Sequence, residues 1–396
     1  MPTSPETNQR LGRYVETPAG SDIVRAFVPP PLPPEPPIEL SVGIVSRLAD
    51  AERALGRLDG AAARLPDQSL FIYMYVRKEA VLSSQIEGTQ STLDDLLLFE
   101  VNAEHGQPVD DMRDVSNYVD AMMYGRERLA SFPLSLRLIR EIHGRLLKDH
   151  RGGDKMPGMF RSTQNWIGGT RPGNAIFVPP PVTELDACLD QLEKFLHEDP
   201  PTLPTLVKAG LIHVQFESIH PFLDGNGRVG RLLVTLYLIQ SGVVHQPLLY
   251  LSLFLKENRD TYYRLLQEVR ENGAWEAWLE FFLDGITDVA GQAFETAVRI
   301  DDLFRNDRDR ISSKSTRAGS ALRVHDVLQT RPFITSKVAH AMTGLSMPTV
   351  NSVLSELTEL GIVAEITGKR RGRVYTYSQY LALLHGEPGQ QKGYEG

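Results

Sequence analysis

His220-Pro221-Phe222-Leu223-Asp224-Gly225-Asn226-Gly227-Arg228-Val229-Gly230-Arg231 places one titratable base, one carboxylate, three glycines and two arginines within twelve residues. Apolar residues at helical spacing precede it (Leu206, Ala209, Gly210, Ile212, His213, Phe216), and an apolar run from Leu232 to Ile239 follows. This pattern predicts a helix entered through a glycine turn. Such a helix start is a ready anion site, because its first N–H groups are unpaired and its dipole is positive there. Glycine lets backbone amides approach a phosphate that a Cβ would hold off. Arg228 and Arg231, spaced i, i+3, share one helix face and can grip a single polyphosphate. Asp224, just before the turn, is placed to hold Mg²⁺, which uses one or two carboxylates plus substrate phosphates. His220 precedes a proline and is biased out of the helical region, so it caps the preceding helix and faces the same pocket. The group reads as a nucleotide-phosphate site with a histidine base beside it.

The string resembles the signature of Fic-domain proteins, His-Pro-Phe-x-Asp/Glu-Gly-Asn-Gly-Arg-x-x-Arg, at every fixed position. Most characterised members of that family transfer AMP from ATP to a Ser, Thr or Tyr hydroxyl of a target protein. The resemblance implies a mainly α fold, a Fic helical bundle with a small β-hairpin flap. It implies His220 as the base on the hydroxyl and Asp224 as the Mg²⁺ ligand. Gly225, Asn226 and Gly227 would form the anion hole and Arg228 and Arg231 would hold the phosphates, with Val229 and Gly230 in the same nucleotide-binding turn. A kinase-like branch carries Lys where this chain has Gly227, so the resemblance favours nucleotidyl transfer, with ATP as the expected donor. It is strong over roughly residues 70–285 and loose elsewhere. A dinucleotide fingerprint G-x-G-x-x-G is also satisfied by Gly225 to Gly230, but that fold needs a strand before the glycines, where helical spacing stands. His213 lacks metal-ligand spacing and reads as a packed core histidine.

A chain of 396 residues is expected to hold two or three domains. Its 41% apolar and 23% charged content is that of an ordinary soluble globular protein. A net charge of −8 argues against general coating of nucleic acid while leaving room for a local basic patch. Cys188 stands alone, which excludes an intramolecular disulfide and fits a reducing compartment. The first residues show no charged-then-apolar leader, and no apolar run approaches a membrane span. The expectation is a cytoplasmic protein with no membrane partner.

Along the chain, residues 1–39 read as an N-terminal arm, polar and poorly ordered over 1–28, with seven prolines between Pro29 and Pro37 that favour polyproline II. Residues 40–130 read as a helical region and 131–290 as the catalytic Fic domain, with a helix over 131–150. Residues 291–317 read as a linker helix, 318–385 as a winged helix and 386–396 as a tail. The segment 161–181 holds a Gly/Pro/Asn turn between two short apolar pieces, a hairpin signature. Fic proteins carry a flap there that clamps the target segment, and Asn165, Trp166, Ile167 and Gly168 would be its near strand. Relatives line the adenine pocket from the region of Asn258 and Tyr262; Asn258 would read adenine edges and Tyr262 would cover the ring. An aromatic at that spacing also suits a core.

Ser83-Ser84-Gln85-Ile86-Glu87-Gly88 ends a helix spanning about Leu70 to Glu87 at a glycine cap. A glutamate in a last turn opposes the helix dipole, which asks for a cationic partner. The pattern resembles the inhibitory motif of regulated Fic proteins, Ser/Thr-x-x-x-Glu-Gly/Asn, with Ser83 and Glu87 in the fixed places. There the glutamate pairs with the second motif arginine, here Arg231, and misplaces the ATP γ-phosphate. Some relatives also use it to remove AMP, so a hydrolytic reverse activity stays open.

From Ala318 the spacing predicts helices over Ala321–Thr330, Thr335–Thr343 and Ser346–Leu360. Strands follow at Ile362–Ile366 and Arg373–Tyr377, around the basic loop of Lys369, Arg370, Arg371 and Arg373. This resembles a winged helix–turn–helix, with Ser346, Thr349 and Asn351 heading the reading helix. DNA binding, and protein binding or homodimer formation, both remain open for it. The expected partners are thus a target protein with a hydroxyl side chain, the chain itself, and DNA through this module. A nucleotide-sensing DNA-binding regulator is the alternative reading, which the intact His220 disfavours because sensing needs no base.

Overall fold

In the computed structural model, which describes residues 10–20, 22–63, 68–102, 110–148, 155–369 and 372–385, the chain opens on an antiparallel hairpin. Its strands are β1 (Arg13–Ala19) and β2 (Asp22–Val28), paired from Arg13↔Val28 to Ala19↔Asp22. Over the hairpin residues this corrects the expectation of a poorly ordered start over 1–28; residues 1–9 lie outside the described residues. Alternation in Tyr14-Val15-Glu16-Thr17 and Ile23 to Val28 carries the strand signal, and Val24, Ala26 and Phe27 are buried. The proline segment that follows is docked too: Gln215 Nε2 donates to the Pro30 carbonyl at 2.8 Å.

The helical body comprises α1 (Val42–Ala62), α2 (Gln68–Ile86), α3 (Leu93–Asn102), α4 (Asp110–Leu129), α5 (Leu136–Leu146), α6 (Val182–Leu196), α7 (Thr205–Ile219), α8 (Asn226–Gln240), α9 (Ser252–Glu257), α10 (Arg259–Asn272) and α11 (Trp275–Lys314). The helix expected over 131–150 is thus shorter. It starts where the Ser135 hydroxyl accepts the Leu138 N–H as a cap. α7 and α8 pack together at the centre. Every residue from Leu206 to Ile219 is buried, as expected of a helix without a polar face. α2 and α4 lie over α8, and α1 runs along α11. None of the described helices is long and apolar enough to cross a membrane.

α11 is a single helix of 40 residues, so the division expected at 290–291 falls inside unbroken helix. It leads into α12 (Ala318–Thr330), β3 (Phe333–Thr335), α13 (Ser336–Thr343), α14 (Met347–Glu359), β4 (Ala364–Glu365), β5 (Val374–Thr376) and α15 (Ser378–His385). The strands form an antiparallel sheet of order β3-β5-β4. β3 and α15 escaped the sequence reading. Asp307 of α11 accepts the Tyr377 hydroxyl at 2.7 Å, and Tyr377 in turn meets His325 at 3.2 Å, so a buried polar chain ties this module to α11. Arg370 and Arg371 of the basic loop lie outside the described residues.

Candidate functional site

His220 ends α7 in the left-handed region, at φ 48° and ψ 60°. A non-glycine residue held there costs about 1–3 kcal/mol and persists only when its surroundings over-determine it. They do. Asn226 brackets Phe222, accepting its N–H and donating to its carbonyl, each at 2.8 Å. Phe222 is fully buried and stacks on His143 of α5 at 3.7 Å. His143 Nδ1 accepts the Gly158 N–H at 2.9 Å, which leaves Nε2–H to donate to the Asp224 carbonyl at 3.1 Å. Burial pushes the His143 pKa down to about 4, so the ring is neutral and that tautomer is fixed.

Gly225 then turns the chain at φ 76° into α8 and provides no side-chain cap, leaving the first N–H groups for a ligand. At Gly227 the reason for glycine is close approach: a Cβ there would lie 2.2 Å from Glu87 Oε1. Val229 is fully buried in the core. The Gly230 carbonyl meets His213 Nδ1 at 3.1 Å, which makes His213 a core brace under the turn.

The two motif arginines are buried and held by carboxylates. Arg231 donates from Nε to Ser83 Oγ at 2.8 Å, and from Nη2 to the Ser83 carbonyl at 3.0 Å and Glu87 Oε1 at 2.8 Å. Burial works against the charge on Glu87, yet Arg231, with Arg228 and His220 behind it, holds the carboxyl below its usual range. Arg228 lies 3.6 Å from Asp114 of α4 and 3.9 Å from Asp224, and its Nε is buried without a partner among the described residues. Asp224 Oδ1 accepts the Gly225 N–H at 2.6 Å, and 36% of its side chain stays exposed. No cluster of three or more metal-ligating side chains occurs among the described residues. One exposed carboxylate beside a phosphate cradle nonetheless fits Mg²⁺, which draws its other ligands from phosphates and water.

His220, six residues before Asn226 at the start of α8, keeps its Nδ1 buried without a hydrogen-bond partner among the described residues. Loss of solvent, followed by the charges of Arg270 and Arg161, pushes its pKa down to about 3; Glu87 and the Glu217 backbone pull the other way. The imidazole is therefore neutral at physiological pH and able to take a proton. Glu217, with Oε1 buried and unpaired, is pushed up to about 7 by burial. Glu79 is raised likewise, to about 7, while bonded to Tyr118 and Ser252.

The flap is looser than expected. Its two arms join through a single bridge, Ile167↔Phe177, around a 3-10 turn at Pro172–Asn174, and not through full strands. Short polar and glycine-rich arms leave few residues to extend the ladder. Asn165 Nδ2 ties the near arm to the Phe222 carbonyl at 2.9 Å, whereas Trp166, Ile167 and Gly168 lead outward. At the tip, Asp22 of β2 accepts the Gly173 N–H at 3.1 Å and faces Arg171 at 3.4 Å. Pro18, Ala19, Gly20 and Asp22 of the hairpin and Gln164, Trp166 and Arg171 of the flap line a groove of about 410 Å³.

One expected position moves. Tyr262 is 1% exposed, and its hydroxyl meets His213 Nε2 at 3.0 Å within the core, so it has no surface to lay over an adenine. Its neighbour Tyr263 is 42% exposed, with the Arg259 guanidinium 5.5 Å over its ring. Asn258 joins α9 to α10 and donates its amide to the Phe254 carbonyl at 3.0 Å. His143, Asp114, Arg161, Glu217 and Arg270 were not found by sequence reasoning. Their neighbours in sequence are polar as well (Arg113 and Ser116 beside Asp114, Ser162 and Thr163 beside Arg161, Glu268 and Glu271 beside Arg270), so nothing local marks them.

Residues 45–127 match the family model described as Fic/DOC family N-terminal, and residues 133–238 the one described as Fic/DOC family. Curated proteins named protein adenylyltransferase Fic from Drosophila yakuba and Drosophila melanogaster are each 29% identical over 242 residues, 59% of this chain and 44% of theirs. The match thus spans less than half the length of these relatives. The crystal structure of a Fic family protein from Desulfovibrio desulfuricans shares the fold, at a TM-score of 0.54 and 19% identity, over 91% of this chain and 99% of that one.

Proposed function

This chain is a Fic-domain protein of the Fic/DOC family, and we propose from that premise that it transfers AMP from ATP to a Ser, Thr or Tyr hydroxyl of a target protein or of itself. The observation that carries the reading is His220, at the end of α7, beside the uncapped start of α8 and its two buried arginines, one of them already holding the Glu87 carboxylate. His220 takes the proton of the acceptor hydroxyl. The hydroxyl oxygen attacks the α-phosphorus, its bond to the bridging oxygen of the β-phosphate breaks, and pyrophosphate leaves. Gly225, Asn226 and Gly227 meet the phosphates with backbone N–H groups, and Arg228 and Arg231 meet them with charge. Mg²⁺ at Asp224, when bound, neutralises charge on the polyphosphate. A polyphosphate also offsets the positive field of Arg161 and Arg270, raising the basicity of His220 when substrate is present.

Glu87 restrains this chemistry. Its carboxylate already lies over Gly227 and on Arg231, the place and partner of an anionic substrate group. Arg231 cannot serve the carboxylate and a γ-phosphate together, so ATP binds unproductively until Glu87 leaves. The same carboxylate is placed to activate a water for removal of AMP. The flap receives the acceptor segment. The C-terminal module is read as a winged helix with a DNA or protein partner, for which Asn351 stays exposed while Ser346 and Thr349 cap α14.

Incubation of the Glu87→Gly protein with Mg²⁺ and ATP labelled at the α or the γ position tests the reading. Label retained from the α position alone is the expected result. Retention from γ would mean phosphorylation, and retention from neither would remove the transferase reading.

A further inference from the structure

The strained backbone of His220 has a second support besides the Asn226 bracket. Arg161, at the root of the flap, is 2% exposed, and its Nε donates to the His220 carbonyl at 3.1 Å. The same guanidinium donates to the Thr163 carbonyl at 3.5 Å and the Pro180 carbonyl at 2.5 Å, while its own backbone N–H donates to Pro221 at 2.9 Å. Thr163 and Pro180 stand on the two arms of the flap. One rigid fork therefore spans three segments: the incoming arm, the outgoing arm and the histidine turn. No carboxylate lies within ion-pair distance of Arg161 among the described residues, so its charge rests on carbonyl dipoles alone. Arg270 of α10 adds a second buried charge, donating to the Glu217 carbonyl at 3.2 Å and stacking over Phe177 of the flap at 3.7 Å.

Resting on the transferase reading, we propose that Arg161 is a positioning residue for the transfer: it fixes His220 in the left-handed conformation and locks that conformation to both arms of the flap. The base and the wall that receives the acceptor are then set by one fork that reaches both arms, with Asn165 Nδ2 of the near arm beside it, 3.4 Å from the same His220 carbonyl. Without the fork, the imidazole loses its fixed aim at the acceptor hydroxyl, while the phosphate cradle at Gly225 to Arg231 stays intact. The proton chemistry moves as well. The charged groups facing His220 are Arg161 on the flap root, Arg270 on α10 and Glu87 after α2, with the Glu217 backbone beside them. Removing the Arg161 charge favours the protonated imidazole, which cannot act as a base, so the acid limb of the rate moves to higher pH.

The test uses the full chain with Glu87→Gly, labelled from α-labelled ATP across pH, with Arg161→Ala and Arg161→Lys added. Arg161→Ala should lower kcat at least about tenfold, as misplacement of a reacting group does, while KM for ATP stays within about twofold. Its acid limb of kcat/KM should move up in pH. Arg161→Lys keeps the charge but not the fork, so its limb should stay with the parent's while kcat remains depressed. A merely structural role would lower folded protein without moving the limb in the alanine variant alone. Should Arg161→Ala fail to fold, a folded Arg161→Lys with the parent's kcat overturns the proposal. Should the Glu87→Gly parent transfer no label, the transferase reading fails separately. NMR titration of the His220 ring then reads the contact without activity: a higher pKa in Arg161→Ala supports it, and an unchanged one overturns it.

Discussion

The motif turn and the flap face each other across the site and are held in opposite ways. From His220 to Arg231 the backbone and the second arginine are pinned, by Asn226 on Phe222, His143 on Asp224, and Ser83 and Glu87 on Arg231, while His220 Nδ1, Arg228 Nε and the first N–H groups of α8 stay open among the described residues. The flap has one bridge between its arms and presents Trp166 and Ile176 to solvent, the latter 75% exposed. On the proposed function, the phosphate side is preorganised, where each reacting charge needs a fixed donor, and the side proposed to meet a polypeptide is left open, where backbone pairing with an incoming segment would supply the order. The proposal thus puts the chemistry in the turn and the choice of acceptor in the flap.

That division breaks most easily at the base. His220→Ala should lower transfer by roughly 10²–10⁴-fold, the usual worth of a positioned base, with nucleotide affinity by calorimetry unchanged. Comparable labelling by the variant would take the proton-transfer role away from the turn. Asp224→Ala comes next. Loss of a metal contact worth several kcal/mol should remove about 10²-fold of the Mg²⁺-dependent rate, and equal rates in Mg²⁺ and in chelator would clear Asp224 of metal binding.

Glu87→Gly should raise self-labelling by about ten- to a hundredfold if its pair with Arg231 costs productive binding about 1.4–2.8 kcal/mol. Arg231→Ala should not reproduce the gain, because it removes a phosphate ligand together with the brake. The double variant should behave as Arg231→Ala alone, the non-additivity of residues in contact. An unchanged rate in a folded Glu87→Gly protein would reduce Glu87 to an ordinary helix end. The smallest effect belongs to the flap. Trp166→Ala should raise KM for a protein acceptor a few-fold and leave KM for ATP alone. Its stability should stay within about 0.5 kcal/mol of the parent, as for an exposed side chain. A changed KM for ATP would show that the two sides are not separate.

The turn was legible because its constraints are local. Positive φ at Gly225, anion-seeking N–H groups and paired arginines are all encoded within twelve residues. So was the helix ending at Ile86, through its glycine stop. What the sequence concealed depends on residues far apart. Asp114 reaches Arg228 from α4, and Arg161 reaches His220 across 59 positions. Tyr262 and Tyr263 show the limit of spacing alone, since neighbouring aromatics on one helix went to the core and to the surface, and packing against His213 marks the buried one. The hairpin of residues 13–28 was misread although alternation marks its strands, since a lone hairpin needs a distant partner to hold it; Phe27 donating its N–H to the Val178 carbonyl supplies one.

The 40-residue helix α11, about 60 Å long at 1.5 Å per residue, bears on how this protein can be taken apart. Its buried stripe continues past residue 290 through Ala293, Ala297, Ile300 and Phe304, and the Ala293 carbonyl accepts the Tyr75 hydroxyl of α2 at 3.3 Å. Cutting the chain at 290 to isolate an enzymatic half would strip the partner from the helix that leads into Glu87 and leave a greasy face on both fragments. A cut piece would thus report the proposed Glu87 brake already disturbed by the surgery, and rates measured on it would not transfer to the whole chain.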